Sequence, residues 1–319
     1  MKNSIKIWPK LDDITQALIP YSNSNLNETY PIHLDLTNVR DVNASGATMT
    51  LVKLIENIRS KSTAVWVIEP PERIHIDNCL NKIGFYKILD LNIINKDIFW
   101  RNDIILENES YVSKNRHDLV VKSFPIYHLQ YQQQEKREVV EEFSNWINEI
   151  LYCYCKQYDF KLNIIAKLLK EIAKNSEDHT KDSAFFGIDI LENAEGSRAE
   201  LIFSFCDLGI GLFENIKSFL RNNSKYRKDA YRKIGIVDAY HLAFSPGFTT
   251  STNKINKGIG MSMILDCVQI LGMELSFFDA HSRGFIPSER THSEIRRNFW
   301  DTGNKVGFNY YGRLVLKKN

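Results

Sequence analysis

The stretch EIAKNSEDHT, Glu171 to Thr180, closes a run whose apolar residues Ile164, Ile165, Leu168 and Leu169 recur at helical spacing. That spacing predicts one helix over KLNIIAKLLKEIAKNSEDHT. Steps of three and four residues return to the same helix face, so Glu171 and Asn175 share a side with Asp178 or His179. A packed core explains the leucines and isoleucines. It does not explain an acid, an amide and then a second acid or an imidazole on one stripe. Such a stripe either keeps a surface helix soluble or faces a ligand.

The flanking sequence alternates strands and helices. KREVVEEFSNWINEILYCYCKQ precedes this helix as another, and AFFGIDILEN and AELIFSFCD follow it as strands. A polar region rich in lysine and asparagine leads to the helix IGMSMILDCVQILG, the strand MELSFFDA and a last strand, GRLVLKK. Nearer the start, PIHLDLTNV reads as a strand, and NASGATMTLVKLIENIRSK as a helix capped by Asn43 or Ser45. STAVWVIEPP is a strand halted by Pro70 and Pro71, and RIHIDNCLNKIGFYKIL a helix interrupted at Gly84. This order predicts an α/β protein. The expected division is a first domain over 1–95, a connecting segment over 96–134 with short apolar pieces such as IFWRNDIIL and HDLVVKSFPIYHL, and a second domain over 135–319; QYQQQEKRE is the most linker-like run and equally reads as the opening of the next helix.

Two glycine motifs fall beside these elements. AELIFSFCDLGIGL sets Asp207, Gly209 and Gly211 directly after a strand, where glycines let the backbone turn and approach a ligand. An aspartate there can accept a hydrogen bond from an exocyclic amine. NKGIGMSMILDC sets Gly258 and Gly260 at a helix start, where free N–H groups and the helix dipole favour phosphate. The Walker spacing is absent.

In this order, EIAKN, CDLGIGL and KGIGMSM resemble the N box and the two glycine boxes of the GHKL, or histidine-kinase-like, ATPases. GMELSFFDAHSRG and NYYGRLVLKK are similar to that family's closing strands, so the resemblance covers about residues 135–319. It implies a Bergerat-fold α/β sandwich, a mixed sheet with helices on one face, that binds ATP and Mg2+. It implies Asn175 as the Mg2+ ligand, Glu171 as general base, and Asp207 on the adenine amine. Gly209 and Gly211 would shape the adenine wall, while Gly258 and Gly260, beside Met261, would let the helix start close over the phosphates. Asp178 and His179 would be supporting or lid contacts, and His179 equally reads as a helix-end cap. The lid would be FSPGFTTSTNKINKG, in which Thr250 falls and Lys254 or Lys257 would reach a phosphate; solvated loop lysines are the plainer reading.

The first block resembles a STAS domain, on IHLDLTNVRDVNASGATMTLVKLI, VWVIEPP and NKIGFYKIL. At the position of that family's phosphoacceptor loop the chain reads N-A-S-G: Ser45 and Gly46 match, Asn43 and Ala44 depart. Ser45 is therefore either an acceptor or a helix cap. No histidine sits in the H-E-x-x-x-P context of a sensor kinase.

Composition fits this picture. The chain has 319 residues, 43% hydrophobic and 25% charged, with net charge +2, so no general nucleic-acid binding is indicated. No apolar run spans a bilayer, and MKNSIKIWPKLDD meets charge too early for a secretory signal, so a cytoplasmic location is expected. The scattered Cys79, Cys153, Cys155, Cys206 and Cys267 point to reduced thiols, with Cys153 and Cys155 buried rather than a metal pair. The leading functional expectation is a Mg2+-dependent ATPase or nucleotide-gated switch controlling a protein partner through the STAS-like domain. The alternatives are an anti-sigma-type serine kinase and a module that holds ATP without turnover. Many proteins of this kind form homodimers.

Overall fold

The computed structural model describes residues 3–6, 10–11, 32–60, 66–92, 110–114, 119–131, 136–158, 161–180, 182–223, 230–248, 250, 260–279, 282–286, 296–298 and 307–318. The chain is mixed α/β. It divides into two compact units, residues 1–128 with 185–206, and residues 129–184 with 207–319.

The first unit begins with β1 (Asn3–Lys6), β2 (Lys10–Leu11), β3 (Ile32–Asp35), β4 (Asp41–Val42), α1 (Ala44–Ser60) and β5 (Trp66–Glu69). β3 lies between β1 and β5, parallel to both, with Ile32 opposite Asn3 on one side and Trp66 on the other. The interrupted helix is two, α2 (Ile74–Lys82) and α3 (Phe85–Asn92), and Gly84 between them has φ 79. β6 (Tyr111–Lys114) pairs antiparallel with β7 (Val120–Ser123). These two, with β8 (Tyr127–Gln130), account for the short apolar pieces at the end of the connecting segment. β9 (Ser183–Glu192) pairs antiparallel with β7, and β10 (Arg198–Asp207) follows it through a turn. In that turn the Asn193 side-chain oxygen accepts the N–H groups of Ser197 and Arg198.

α1 is the helix this unit is built around. Every residue from Asn43 to Ile55 is buried, which a helix with one wet face cannot show. Most of the polar groups at its start are satisfied inside, whereas the buried Thr50 hydroxyl further along has no hydrogen-bond partner among the described residues. The side-chain oxygen of Asn43 accepts the N–H of Gly46 at 2.8 Å, so Asn43, not Ser45, is the cap. Ser45 does something else. Its N–H and hydroxyl both donate to the carboxylate of Asp189 on β9, which also takes the Ala44 N–H at 2.8 Å and the Ser123 hydroxyl at 2.6 Å. Burial pushes the Asp189 carboxyl up, and these donors pull it back down. Its oxygens sit at the start of the helix, where the free N–H groups need acceptors. From the neighbouring strand, the Ser204 hydroxyl donates to the Ser45 carbonyl at 2.8 Å.

Close approach makes this possible. A Cβ on Gly187 would run into the Ala44 carbonyl and the Thr48 hydroxyl. Around it, β9 is buried on both faces from Ser183 to Ile190, as a near-continuous apolar run requires.

The second unit holds α4 (Lys136–Cys155), a 3-10 turn (Lys156–Tyr158), α5 (Leu162–His179), α6 (Leu212–Asn222), α7 (Ala230–Lys233), α8 (Ile236–Phe244) and α9 (Gly260–Leu271). Its strands are β11 (Glu274–Asp279), β12 (Ser282–Ile286), β13 (Arg296–Asn298) and β14 (Asn309–Lys317). β11 runs antiparallel to β12 and to β14, with Phe277 opposite Tyr310. An aromatic core joins helix to sheet: Tyr240 meets Phe277 edge-on at 5.1 Å, Phe277 meets Phe308 at 5.6 Å, and Phe308 meets Tyr310 edge-on at 4.8 Å. Among the described residues no helix is long and apolar enough to cross a membrane.

Replacing Asp189 with alanine strands four buried donors. Chemical denaturation should show a loss of about 2–4 kcal/mol. Gly187→Ala should destabilise as well, because backbone rather than a flexible side-chain tip blocks the new methyl. Unchanged midpoints in both variants would remove this account of α1.

Candidate functional site

The helix α5 forms as its apolar spacing predicts. Ile165, Leu168, Leu169, Ile172, Ala173 and Ser176 are buried, and Thr180 ends the helix in an extended conformation. The Tyr131 hydroxyl donates to the Ala173 carbonyl at 3.2 Å and holds the middle of the helix. The stripe beside the apolar face then presents Asn175 and His179 to an open cleft. Glu171 lies one turn earlier, mostly buried, with its carboxylate 3.5 Å from Lys174 Nζ. Asp178 is exposed.

Asp207 ends β10 and lines the same cleft. Its Oδ1 accepts the Gly209 N–H at 2.8 Å and the Phe308 N–H at 3.2 Å. Both bonds fall on one oxygen, so Oδ2 is left for a ligand. Burial raises the Asp207 carboxyl to about 7; the two N–H donors oppose the rise and the nearby Asp279 carboxylate adds to it. Asp279 itself accepts the Phe213 N–H at 2.7 Å, which satisfies a free donor in the first turn of α6. Gly211, with φ +83, precedes that helix, and a side chain there would strike the Asp279 carboxylate.

The third contribution comes from α9. Met261 lines the cleft, and a Cβ on Gly260 would lie 2.7 Å from Asn175 Oδ1. Burial lowers His179 to about 4, so its imidazole is neutral at pH 7. Its Nδ1 is 3.4 Å from the Thr250 hydroxyl, which ties the helix end to the segment leading into the expected lid.

The structure thus brings Asn175, His179, Asp207, Gly209, Gly211 and Met261 to one cleft, with Gly260 behind Asn175 and Thr250 on His179. Lys254, Lys257 and Gly258 lie outside the described residues. The sequence reading missed Asn215, Phe308 and Tyr310, which also line the cleft, and Asp279 beneath the glycine turn. The D-A sequence at 279–280 after a strand was the one available signal for Asp279, and it is weak.

All five cysteines are free, and Cys153 is exposed while Cys155 is buried. Two residues apart on a helix point to different faces, so the expectation of burial holds for one and not the other. Among the described residues, no three of His, Cys, Asp and Glu are grouped so as to hold a metal ion by themselves. Neither protein-family models nor curated proteins match this chain.

Asp207 gives a pH test. A carboxyl raised from the usual range to about 7 favours the fold at low pH, and that contribution is lost as pH rises from about 4 through 7. Asp207→Asn cannot ionise. Its stability relative to the unsubstituted protein should therefore improve between pH 4 and pH 7 and level off above, in melting experiments across that range. A constant difference across the window would mean that Asp207 is not raised.

Proposed function

We propose that residues 135–319 are an ATP-binding domain of the GHKL type with a Bergerat-fold architecture, and that residues 1–95 are STAS-like and engage a protein partner. One observation carries this reading. A single cleft receives the asparagine of a helix stripe, the aspartate-glycine turn after a strand, and the start of a glycine-led helix. These come from three separate segments, in the order that the sequence motifs imply. The cleft also fits such a ligand chemically. Asp207 Oδ2 is an open acceptor on a buried floor, suited to an exocyclic amine. Phe308 and Met261 supply apolar wall, and Gly260 at the α9 start puts no side chain against Asn175 Oδ1. Asn175 Oδ1 would hold Mg2+, the phosphates and water supplying the other ligands, since this ion rarely needs a full protein cage.

Bound there, Mg2+ would neutralise charge on the phosphates. The residues of the chain do the rest. Asp207 must be ionised to accept an amine on Oδ2, so adenine binding should release a proton near pH 7 and weaken below it. Glu171, one turn from Asn175, would take the proton from attacking water. Its pairing with the half-exposed Lys174 is weak in water and does not prevent this.

Ser45 as internal phosphoacceptor is disfavoured. It is fully buried and its hydroxyl is engaged by Asp189, so an attack on phosphate would first require α1 to leave β9. The reading supported best is therefore an ATPase or nucleotide-gated switch.

The experiment is incubation with Mg2+ and γ-labelled ATP. Label released as phosphate is expected. Label retained by the protein would overturn the switch in favour of a kinase, and no binding at all would overturn the site. Glu171→Gln should lower turnover by about 10²–10⁴-fold with ATP affinity unchanged. Asp207→Asn should erode the preference for ATP over GTP by about tenfold.

A further inference from the structure

An amide has two chemically opposite ends, and only its oxygen can ligate a hard cation. If Asn175 is to hold Mg2+, something must decide which end faces the ligand. Met261 is placed to do so. Asn175 Nδ2–H donates to Met261 Sδ at 3.6 Å. A thioether carries no proton and accepts only weakly, so it can hold the amino end but never the carbonyl end. The sulfur is itself fixed, because the Tyr310 hydroxyl donates to it at 3.4 Å and Tyr310 is buried. On the other side, Asn175 Oδ1 borders Gly260, where a Cβ would intrude to 2.7 Å. The carbonyl end therefore takes the space that a side chain at 260 would fill, beside the amino end held by the sulfur.

We propose that Met261 is a positioning residue: its sulfur anchors the amino end of Asn175 so that Oδ1 is presented to the cation. This rests on the reading of the cleft as an ATP and Mg2+ site. Met261 does not ligate the metal. It excludes the flipped amide, which would offer N–H groups to a positive ion. The adjacent glycine leaves room for the oxygen, and Tyr310 keeps the sulfur from turning away.

The test compares ATP affinity in excess Mg2+ with affinity in EDTA, for three variants of the full chain. Met261→Leu keeps the volume and removes the acceptor. It should weaken binding in Mg2+ by about three- to fivefold more than it weakens binding in EDTA, the worth of one weak hydrogen bond. Met261→Gln restores an acceptor with two lone pairs and should recover the affinity in Mg2+. In an Asn175→Asp background both ends are oxygen, so Met261→Leu should change nothing further. Equal losses with and without Mg2+ would reduce Met261 to packing and overturn the proposal. So would an undiminished effect in the Asn175→Asp background, or no recovery in the Gln variant with an unchanged melting temperature. A parent protein that binds ATP with no response to Mg2+ would instead overturn the metal site itself, and this role with it.

Discussion

Asp207 Oδ1 accepts the N–H groups of Gly209, two residues away, and of Phe308, 101 residues away. That one oxygen ties the glycine turn to the strand-leading segment of β14, and so sets the floor of the cleft. Gly307 belongs to the same constraint, because a Cβ there would strike both Asp207 and the Gly209 backbone. A second carboxylate, Asp279, repeats the arrangement at the start of α6 through the Phe213 N–H. Two buried acids of like charge, each held by backbone donors, fix the turn between them. Burial raises Asp207 to about 7 and the Asp279 carboxylate adds to the rise, while the N–H donors that fix the floor oppose it.

Local signals were enough for most elements. The 3.6-residue spacing of α5 and the break at Gly84 needed only neighbouring residues, and both formed as expected. Asn175, Asp207, Gly209 and Gly211 were legible for the same reason: each sits within a few residues of a helix face or a strand end. Phe308, Tyr310 and Asp279 were not. They reach the cleft through the pairing of β11 with β14, which sets Phe277 against Tyr310, and no short-range pattern encodes that register. The short β6, β7 and β8 escaped assignment because four residues carry little periodicity.

The helix α1 illustrates a different limit. Its sequence carries Ser45, Thr48, Thr50 and Lys53, which read as a partly wet face, yet all four are buried. Ser45 belongs inside because β9 supplies Asp189 from 144 positions away, and Thr48 because its hydroxyl donates to the Ala44 carbonyl at 2.7 Å. Desolvation lowers Lys53 to about 8, with Glu56 opposing the fall, so even its charge is set by packing rather than by sequence neighbours. Ser45 looked like an acceptor or a cap in the sequence; its hydroxyl is a donor in a buried network instead.

The first unit also has a temporal consequence. Its chain is interrupted, with residues 185–206 arriving after 56 residues that belong elsewhere. A ribosome making this protein emits α1 long before it emits Asp189. Until then the fully apolar-wrapped helix has one side without its strand, and the serine and backbone donors at its start lack their carboxylate. Contacts of such long sequence separation form slowly and leave apolar surface open meanwhile. The nascent N-terminal segment is thus a natural client for holding factors during synthesis, and the second unit begins to emerge before the first has closed.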